Sequence, residues 1–176
     1  MVARFFVEIR PILLGAGLLM ALQAQAQRPL DGTLLGLTEP ELQATFPGVN
    51  RMRKPLIGPH GVRGLWTLAN TPVAGLPFET TFYMKDKRVT RIEQHWASAA
   101  PQCSDDSAFT ALVSRMDSQY GVGLMSSDPA KDGLLQRSAV WEAGEFDVLS
   151  HLTHAPGQCA IRVIYTAHLV KDASEL

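Results

Sequence analysis

The chain has 176 residues, of which 46% are apolar, and its formal net charge is −1 at pH 7. This length suits one compact domain or two small repeats, and the composition is that of an ordinary globular protein. The near balance of basic and acidic residues argues against a nucleic-acid-binding protein, which would carry a strongly basic surface.

Residues 1–26 have the three-part layout of a secretory signal peptide. Arg4 and Arg10 form the basic start, an apolar run occupies 11–22, and Ala24 and Ala26 place small residues where signal peptidase reads them. The apolar run is shorter than the roughly 20 residues that a membrane-spanning helix needs, so a retained anchor is the weaker alternative. No cysteine adjoins the cleavage site, which argues against a lipoprotein. We predict cleavage after Ala26 and a soluble protein that is periplasmic or secreted.

The remaining sequence predicts a tandem repeat, and the first copy occupies residues 27–100. Thr38 and Glu41 form a capping box at the start of a short helix that ends at Pro47 and Gly48. Three segments rich in β-branched and aromatic residues follow at 63–69, 78–84 and 89–96. They predict three antiparallel strands.

The second copy occupies residues 101–176 and repeats this order. A helix is predicted over 104–121, because its apolar residues recur at helical spacing: Phe109, Leu112, Val113, Met116 and Tyr120. Strands are predicted at 138–142, 145–152 and 159–168. We therefore predict an α+β fold, with two repeats of one helix and three antiparallel strands and with both helices on one face of the sheet. Apolar residues on both sides of the last strand would allow a dimer through that edge.

Alternation along the first copy predicts a sheet that is covered on one side. If Phe82 lies opposite Ile92, the apolar side chains of both strands share one face, and an antiparallel sheet can leave its other face to solvent. That open, polar face would carry Glu79, Thr81, Tyr83, Arg91, Glu93 and His95.

The motifs of the first copy resemble a known superfamily. The segment from Leu35 to Leu42, the short helix that ends in Pro-Gly, the Trp66 strand and the Phe78-x-x-x-Phe82 strand are similar to one repeat unit of the BamE/SmpA and β-lactamase-inhibitor-protein-like superfamily. The resemblance covers residues of about 33–98 and 103–170. It implies helices on one side of a sheet whose open face grips another protein. The chain has fewer cysteines than the inhibitors and lacks the lipobox cysteine of BamE-type assembly factors, so neither specific activity is carried over.

The two cysteines, Cys103 and Cys159, predict a structural disulfide, because an even pair in an oxidising compartment is read first in this way. A redox pair or thiolate metal ligands are the alternatives. A redox pair usually shows Cys-x-x-Cys, and a zinc site needs clustered partners, neither of which occurs here.

A segment over residues 51–63 concentrates basic side chains among Gly and Pro: Arg51, Arg53, Lys54, His60 and Arg63. We interpret it as a basic loop. Such a loop could hold an anionic group or an acidic patch on a partner, because arginine matches phosphate and carboxylate geometry. The alternative is a solvated connector whose glycines serve turns.

The sequence predicts neither a metal site nor a cofactor. His151 and His154 are three residues apart on a predicted strand and would point to opposite faces. No phosphate-binding glycine loop and no nucleophile motif occurs. Glu79, Glu93 and His95 could meet on the open face and perform acid–base chemistry, which is the enzymatic alternative.

The prediction is a non-catalytic protein that binds another protein or an envelope component. The predicted contact residues are Tyr83, Arg91, Glu93 and His95 on the open face, with Tyr83 as an exposed aromatic anchor, and Arg51, Arg53, Lys54 and Arg63 in the basic loop. The leading alternative is a carrier of a small molecule or lipid, with a pocket between the helices and the sheet.

Overall fold

The computed structural model describes residues 28–99, 106–131, 134–155 and 158–168. Its strands are β1 (Asn50–Ile57), β2 (Arg63–Val73), β3 (Leu76–Lys85), β4 (Arg88–Ala99), β5 (Leu124–Lys131), β6 (Leu134–Ala143), β7 (Phe146–Ala155) and β8 (Gln158–Ala167). Its helices are α1 (Glu39–Thr45) and α2 (Ser107–Tyr120), with 3-10 turns at Gly32–Leu34 and Pro59–Gly61. The eight strands form one antiparallel sheet in the order β1-β2-β3-β4-β8-β7-β6-β5.

The predicted α+β arrangement, two repeats of one helix and three strands, is wrong. The structure is dominated by a single eight-stranded sheet, and each helix precedes four strands rather than three. The missed strands, β1 and β5, lie at the two edges of the sheet. β1 contains Arg51, Arg53, Lys54 and Pro55, which suit an edge strand because charge and proline prevent pairing with a further chain. The same residues are rare in central strands, so the segment was misread as a loop.

Strands β4 and β8 join the two halves of the sheet. They pair without interruption from Arg91 opposite Thr166 to Ala99 opposite Gln158. The expected edge for a dimer at the last strand is therefore wrong, because β8 is central and pairs on both sides. Its apolar residues on both faces reflect this central position, with Ile161 fully buried in the core and Ile164 only 6% exposed on the opposite face.

The helices cover one face of the sheet. Thr38 N–H donates to Glu41 Oε2 at 2.8 Å, as part of the capping box at the start of α1. This hydrogen bond lowers the pKa of Glu41. The ring of Phe46, just after α1, lies 6.0 Å from the ring of Phe82 on β3. Helix α2 buries four of the five apolar residues that its spacing predicts, Phe109, Leu112, Val113 and Met116, and the fifth, Tyr120, is half-buried against the core. Both halves contribute to one core cluster.

The C-terminal end of α2 is tied to the sheet by one carboxylate. Asp117 Oδ1 accepts a hydrogen bond from Trp141 Nε1 at 2.8 Å and another from Gly123 N at 3.0 Å. Trp141 is 2% exposed, so this contact satisfies an indole N–H that burial would otherwise leave unpaired. The contact fixes α2 over β6, and within the described ranges both helices pack on this one face of the sheet.

We expect Ser150→Ala to leave the free energy of unfolding unchanged or to raise it by up to about 1 kcal/mol. Ser150 is fully buried on β7, and its hydroxyl has no hydrogen-bond partner among the residues that the structure describes. Thr71→Val is the matched control, because the Thr71 hydroxyl contacts Phe78 O at 2.9 Å and Thr80 Oγ1 at 2.8 Å. Urea unfolding should show a loss of about 1–2 kcal/mol for this control. A larger loss for Ser150→Ala than for Thr71→Val would contradict the prediction.

Two sequence predictions fall partly or wholly outside the described ranges. The predicted signal peptide, residues 1–26, and Cys103 both lie there. Cys159 is 7% exposed and disulfide-bonded. Within the described ranges, neither helix has the length and apolarity needed to cross a bilayer.

Candidate functional site

The side of the sheet opposite α2 is the candidate site, and we call it the open face. Cross-strand pairing arranges its side chains in parallel rows. One row consists of Ser138, His151, Arg162, His95 and Glu79, from β6 to β3. The next consists of Leu124, Val140, Leu149, Ile164, Glu93, Thr81 and Thr67, from β5 to β2. The face thus has a polar part and an apolar part that meet at β4 and β8.

Glu93 lies at the centre of the open face and is surrounded by donors. Arg91 Nε donates to its Oε1 at 2.7 Å, and Arg162 Nε lies 4.0 Å from its Oε2. Tyr83 Oη donates to Oε2 at 3.4 Å. The single carboxylate is engaged by these three side chains, so it is poorly placed for the acid–base role that the enzymatic alternative gave it. Its charge offsets only part of the positive charge around it.

Tyr83 lies on the open face but is only 6% exposed, so its expectation as an exposed aromatic anchor is wrong. The ring packs against the turn between β1 and β2. A Cβ placed on Gly58 would lie 2.8 Å from the ring of Tyr83, so only glycine allows the turn to approach this closely. Burial and the Glu93 carboxylate both raise the pKa of the Tyr83 hydroxyl. Tyr83 is therefore a buried neighbour of Glu93 and not an exposed contact residue.

A shallow cleft of about 460 Å³ lies on the open face beside Glu93. His95, His151 and Arg162 line it, together with the polar side chains of Ser138 and Thr153. Burial lowers the pKa of His151, and the positive charges of Arg162 and Arg91 lower it further. Protonation of His151 is therefore disfavoured in this cleft. An anionic group from a partner would relieve that penalty.

The apolar part of the open face borders this cleft. Leu149 is half-buried between Val140 and Ile164, and Leu124 at the edge is 78% exposed. Nearby, beyond the end of α2, Val122 is 92% exposed. The row offers apolar contact area beside a charged centre, which is the usual composition of a protein interface.

The structure brings some of the predicted contact residues together and separates others. Arg91, Glu93 and His95 lie on the open face, with His95 exposed opposite Glu79. Arg51 and Arg63 pair with Trp66 and Met84, whose side chains belong to the core, so both arginines lie on the helix side.

The other two predicted basic residues, Arg53 and Lys54, are exposed on edge strand β1. Arg51 lies with its guanidinium 5.7 Å from the ring centre of Trp66. The predicted basic loop 51–63 is thus an edge strand and a turn, and its charges do not converge on one site.

Sequence reasoning missed Arg162 and the part played by His151. Arg162 lies between Ile161 and Val163 on β8, and this alternation alone would have assigned it to the polar face. Arg162 lies close to Glu93 because β4 pairs with β8, and no local sequence pattern predicts that pairing.

Metal binding finds no support in the described ranges, where no group of three or more His, Cys, Asp or Glu side chains could hold an ion. No family model matches the chain, and it matches neither a curated protein nor a solved structure. The geometry of the open face therefore carries the functional argument.

Proposed function

We propose that this chain is an exported, non-catalytic protein that binds an acidic protein partner through the open face. The observation that carries the proposal is the cluster of Arg91, Arg162, His95 and His151 beside Glu93 on the open face. The proposed compartment, the periplasm or the exterior, rests on the signal-peptide pattern of residues 1–26.

The charges favour an acidic partner. On the open face, Arg162 is 54% exposed, and its nearest carboxylate oxygen is 4.0 Å away. It can therefore form a closer ion pair with a partner carboxylate at little structural cost.

The apolar row favours a protein over a small anion. An anion alone would need only the cleft, whereas Leu124, Val140, Leu149 and Ile164 form an apolar row beside it on strands β5 to β8. Protein interfaces combine an apolar centre with charged groups that fix orientation. The long row and the adjoining cleft match that combination.

The test is an in-cell crosslink and pull-down of the tagged full-length chain, read by mass spectrometry, with Leu149→Glu as the test variant. Leu149 lies in the middle of the apolar row. A carboxylate there would lose its hydration on binding and would repel an acidic partner. We expect the natural chain to capture one stoichiometric acidic protein and Leu149→Glu to lose it. Ile57→Glu is the matched control, because Ile57 is 89% exposed and lies on β1, at the opposite edge of the sheet from Leu124.

Thermal unfolding of both variants shows whether the fold is intact. Equal capture by the natural chain and a folded Leu149→Glu would show that the partner does not use the open face. A natural chain that captures no protein would overturn the proposed function.

A further inference from the structure

A second cavity, of about 520 Å³, lies on the covered side of the sheet and is separate from the open face. Its walls come from both halves of the fold. Phe46 follows α1, Met116 and Tyr120 belong to α2, and Leu68 and Gln94 belong to β2 and β4. The volume is in the range of sites that hold small molecules in proteins.

Gln94 gives this cavity an unmatched hydrogen-bond donor. The side chain is 1% exposed, and Tyr165 Oη donates to its Oε1 at 3.3 Å. Its Nε2 has no partner among the described residues. Buried amide groups in native proteins are nearly always paired, so an unmatched buried donor on a residue that lines the cavity indicates a partner that completes it.

The rest of the lining sets the character of that partner. Arg28 and Arg115 line the cavity and are exposed to solvent. Among the described residues that line the cavity, the one carboxylate is that of Asp31, which already accepts from Thr33 N at 3.0 Å and from Thr33 Oγ1 at 2.6 Å. Burial raises the pKa of Tyr120 to about 12, so its hydroxyl stays neutral. The cavity therefore offers neutral hydrogen-bonding groups and one engaged carboxylate inside, and the positive charges of Arg28 and Arg115 where it opens to solvent.

We propose that this cavity binds a small amphiphile with an apolar chain, a carboxylate and an internal carbonyl. The carboxylate lies by the solvent-exposed Arg28 and Arg115, because moving a charge to the cavity floor with one amide donor would lose more hydration than it regains. The carbonyl oxygen accepts from Gln94 Nε2, and the chain contacts Phe46, Leu68 and Met116. This site is independent of the function proposed for the open face.

The test compares decanoate with 5-, 7- and 9-oxodecanoate, titrated calorimetrically into the purified chain. These acids differ only in the presence and place of one carbonyl. We expect at least one oxo acid to bind about tenfold more tightly than decanoate, the effect of one buried hydrogen bond. Gln94→Leu should abolish that advantage while decanoate still binds. Arg115→Gln should weaken all four acids by a similar factor, and Arg162→Gln on the open face should change none.

Nuclear magnetic resonance of the labelled chain locates the contact directly. The Gln94 side-chain amide signals, assigned by their loss in Gln94→Leu, should shift with the preferred oxo acid and much less with decanoate. The proposal is overturned if no oxo acid binds more tightly than decanoate, or if the advantage survives in Gln94→Leu. Should that variant fail to fold, unchanged affinities in Arg115→Gln would overturn it.

Discussion

Reversing the charge of Arg162 is expected to weaken the complex with the acidic partner by about 100-fold or more, because a close ion pair becomes a repulsion. Arg162 occupies the middle of the polar row, with His151 on one side and His95 on the other. Its guanidinium is more than half exposed and is 4.0 Å from Glu93. The same variant, Arg162→Glu, should therefore change the free energy of unfolding by no more than about 0.5 kcal/mol. Affinity is measured with the captured partner, and stability by urea unfolding.

A second readout of Arg162→Glu needs no partner. The positive charges of Arg162 and Arg91 contribute to the lowered pKa of His151. Replacing one cation by a carboxylate removes repulsion of the imidazolium and adds attraction, so the pKa of His151 must rise in the variant. A pH titration of the His151 ring signals by nuclear magnetic resonance measures the shift. An unchanged pKa would show that the two side chains are not neighbours on the open face.

Arg115→Glu is the matched control for this charge reversal. Arg115 is exposed on α2, on the other side of the sheet. The variant changes the net charge by the same amount, so any general effect of charge on association appears in both. We expect the control to keep partner affinity within about threefold, the scale of a distant surface charge. Equal losses in both variants would mean that net charge, rather than the open face, governs binding.

Local patterns predicted those elements whose signal lies within one segment. Helix α2 has an apolar face at helical spacing, and strands β3 and β4 alternate cleanly around Phe82 and Ile92. The capping box of Thr38 and Glu41 was equally local. Each of these signals comes from neighbouring residues whose side chains meet because of backbone geometry alone.

The wrong predictions concern residues whose role depends on the position of their strand in the sheet. Edge strand β1 keeps its Arg and Pro because nothing pairs on its outer side, so its composition resembles that of a loop. The apolar residues of β8 on both faces reflect a central strand, which a sequence pattern cannot tell from an apolar edge. The arrangement of all eight strands in one sheet depends on the β4–β8 pairing.

The candidate site shows the same limit. Arg91, Glu93 and His95 alternate on one strand, so their shared face could be predicted from the sequence. Arg162 and His151 lie on β8 and β7, far along the chain from Glu93 and Arg91 on β4. They come close to those residues only because β8 pairs with both β4 and β7. The burial of Tyr83 depends on Gly58 in a turn that folds back over it. The sequence pattern around the buried Tyr83 is therefore the same as that around an exposed residue on the same face.

Phe82→Ala is expected to lower the free energy of unfolding by about 3–5 kcal/mol, the cost of a cavity left by a large core side chain. Phe82 is fully buried on β3 and contacts Phe46 at a ring distance of 6.0 Å. Since domains of this kind are stable by only about 5–15 kcal/mol, the loss is a large fraction of the total. Ile57→Ala is the control, because Ile57 is 89% exposed and should change stability by less than about 0.5 kcal/mol.

The same experiment tests whether the two halves of the sheet unfold together. Phe82 lies in the first half, whereas Val148 on β7 is fully buried in the second. Because β4 pairs with β8 from Arg91 to Ala99 and one core cluster spans both halves, the destabilisation should be shared by the whole sheet. Urea unfolding followed by nuclear magnetic resonance should show the signals of Ile92 and Val148 lost at the same, lowered midpoint. If Val148 keeps its natural midpoint while Ile92 is lost earlier, the halves are separate folding units. If Phe82→Ala does not fold, Phe82→Leu makes the same comparison with a smaller cavity.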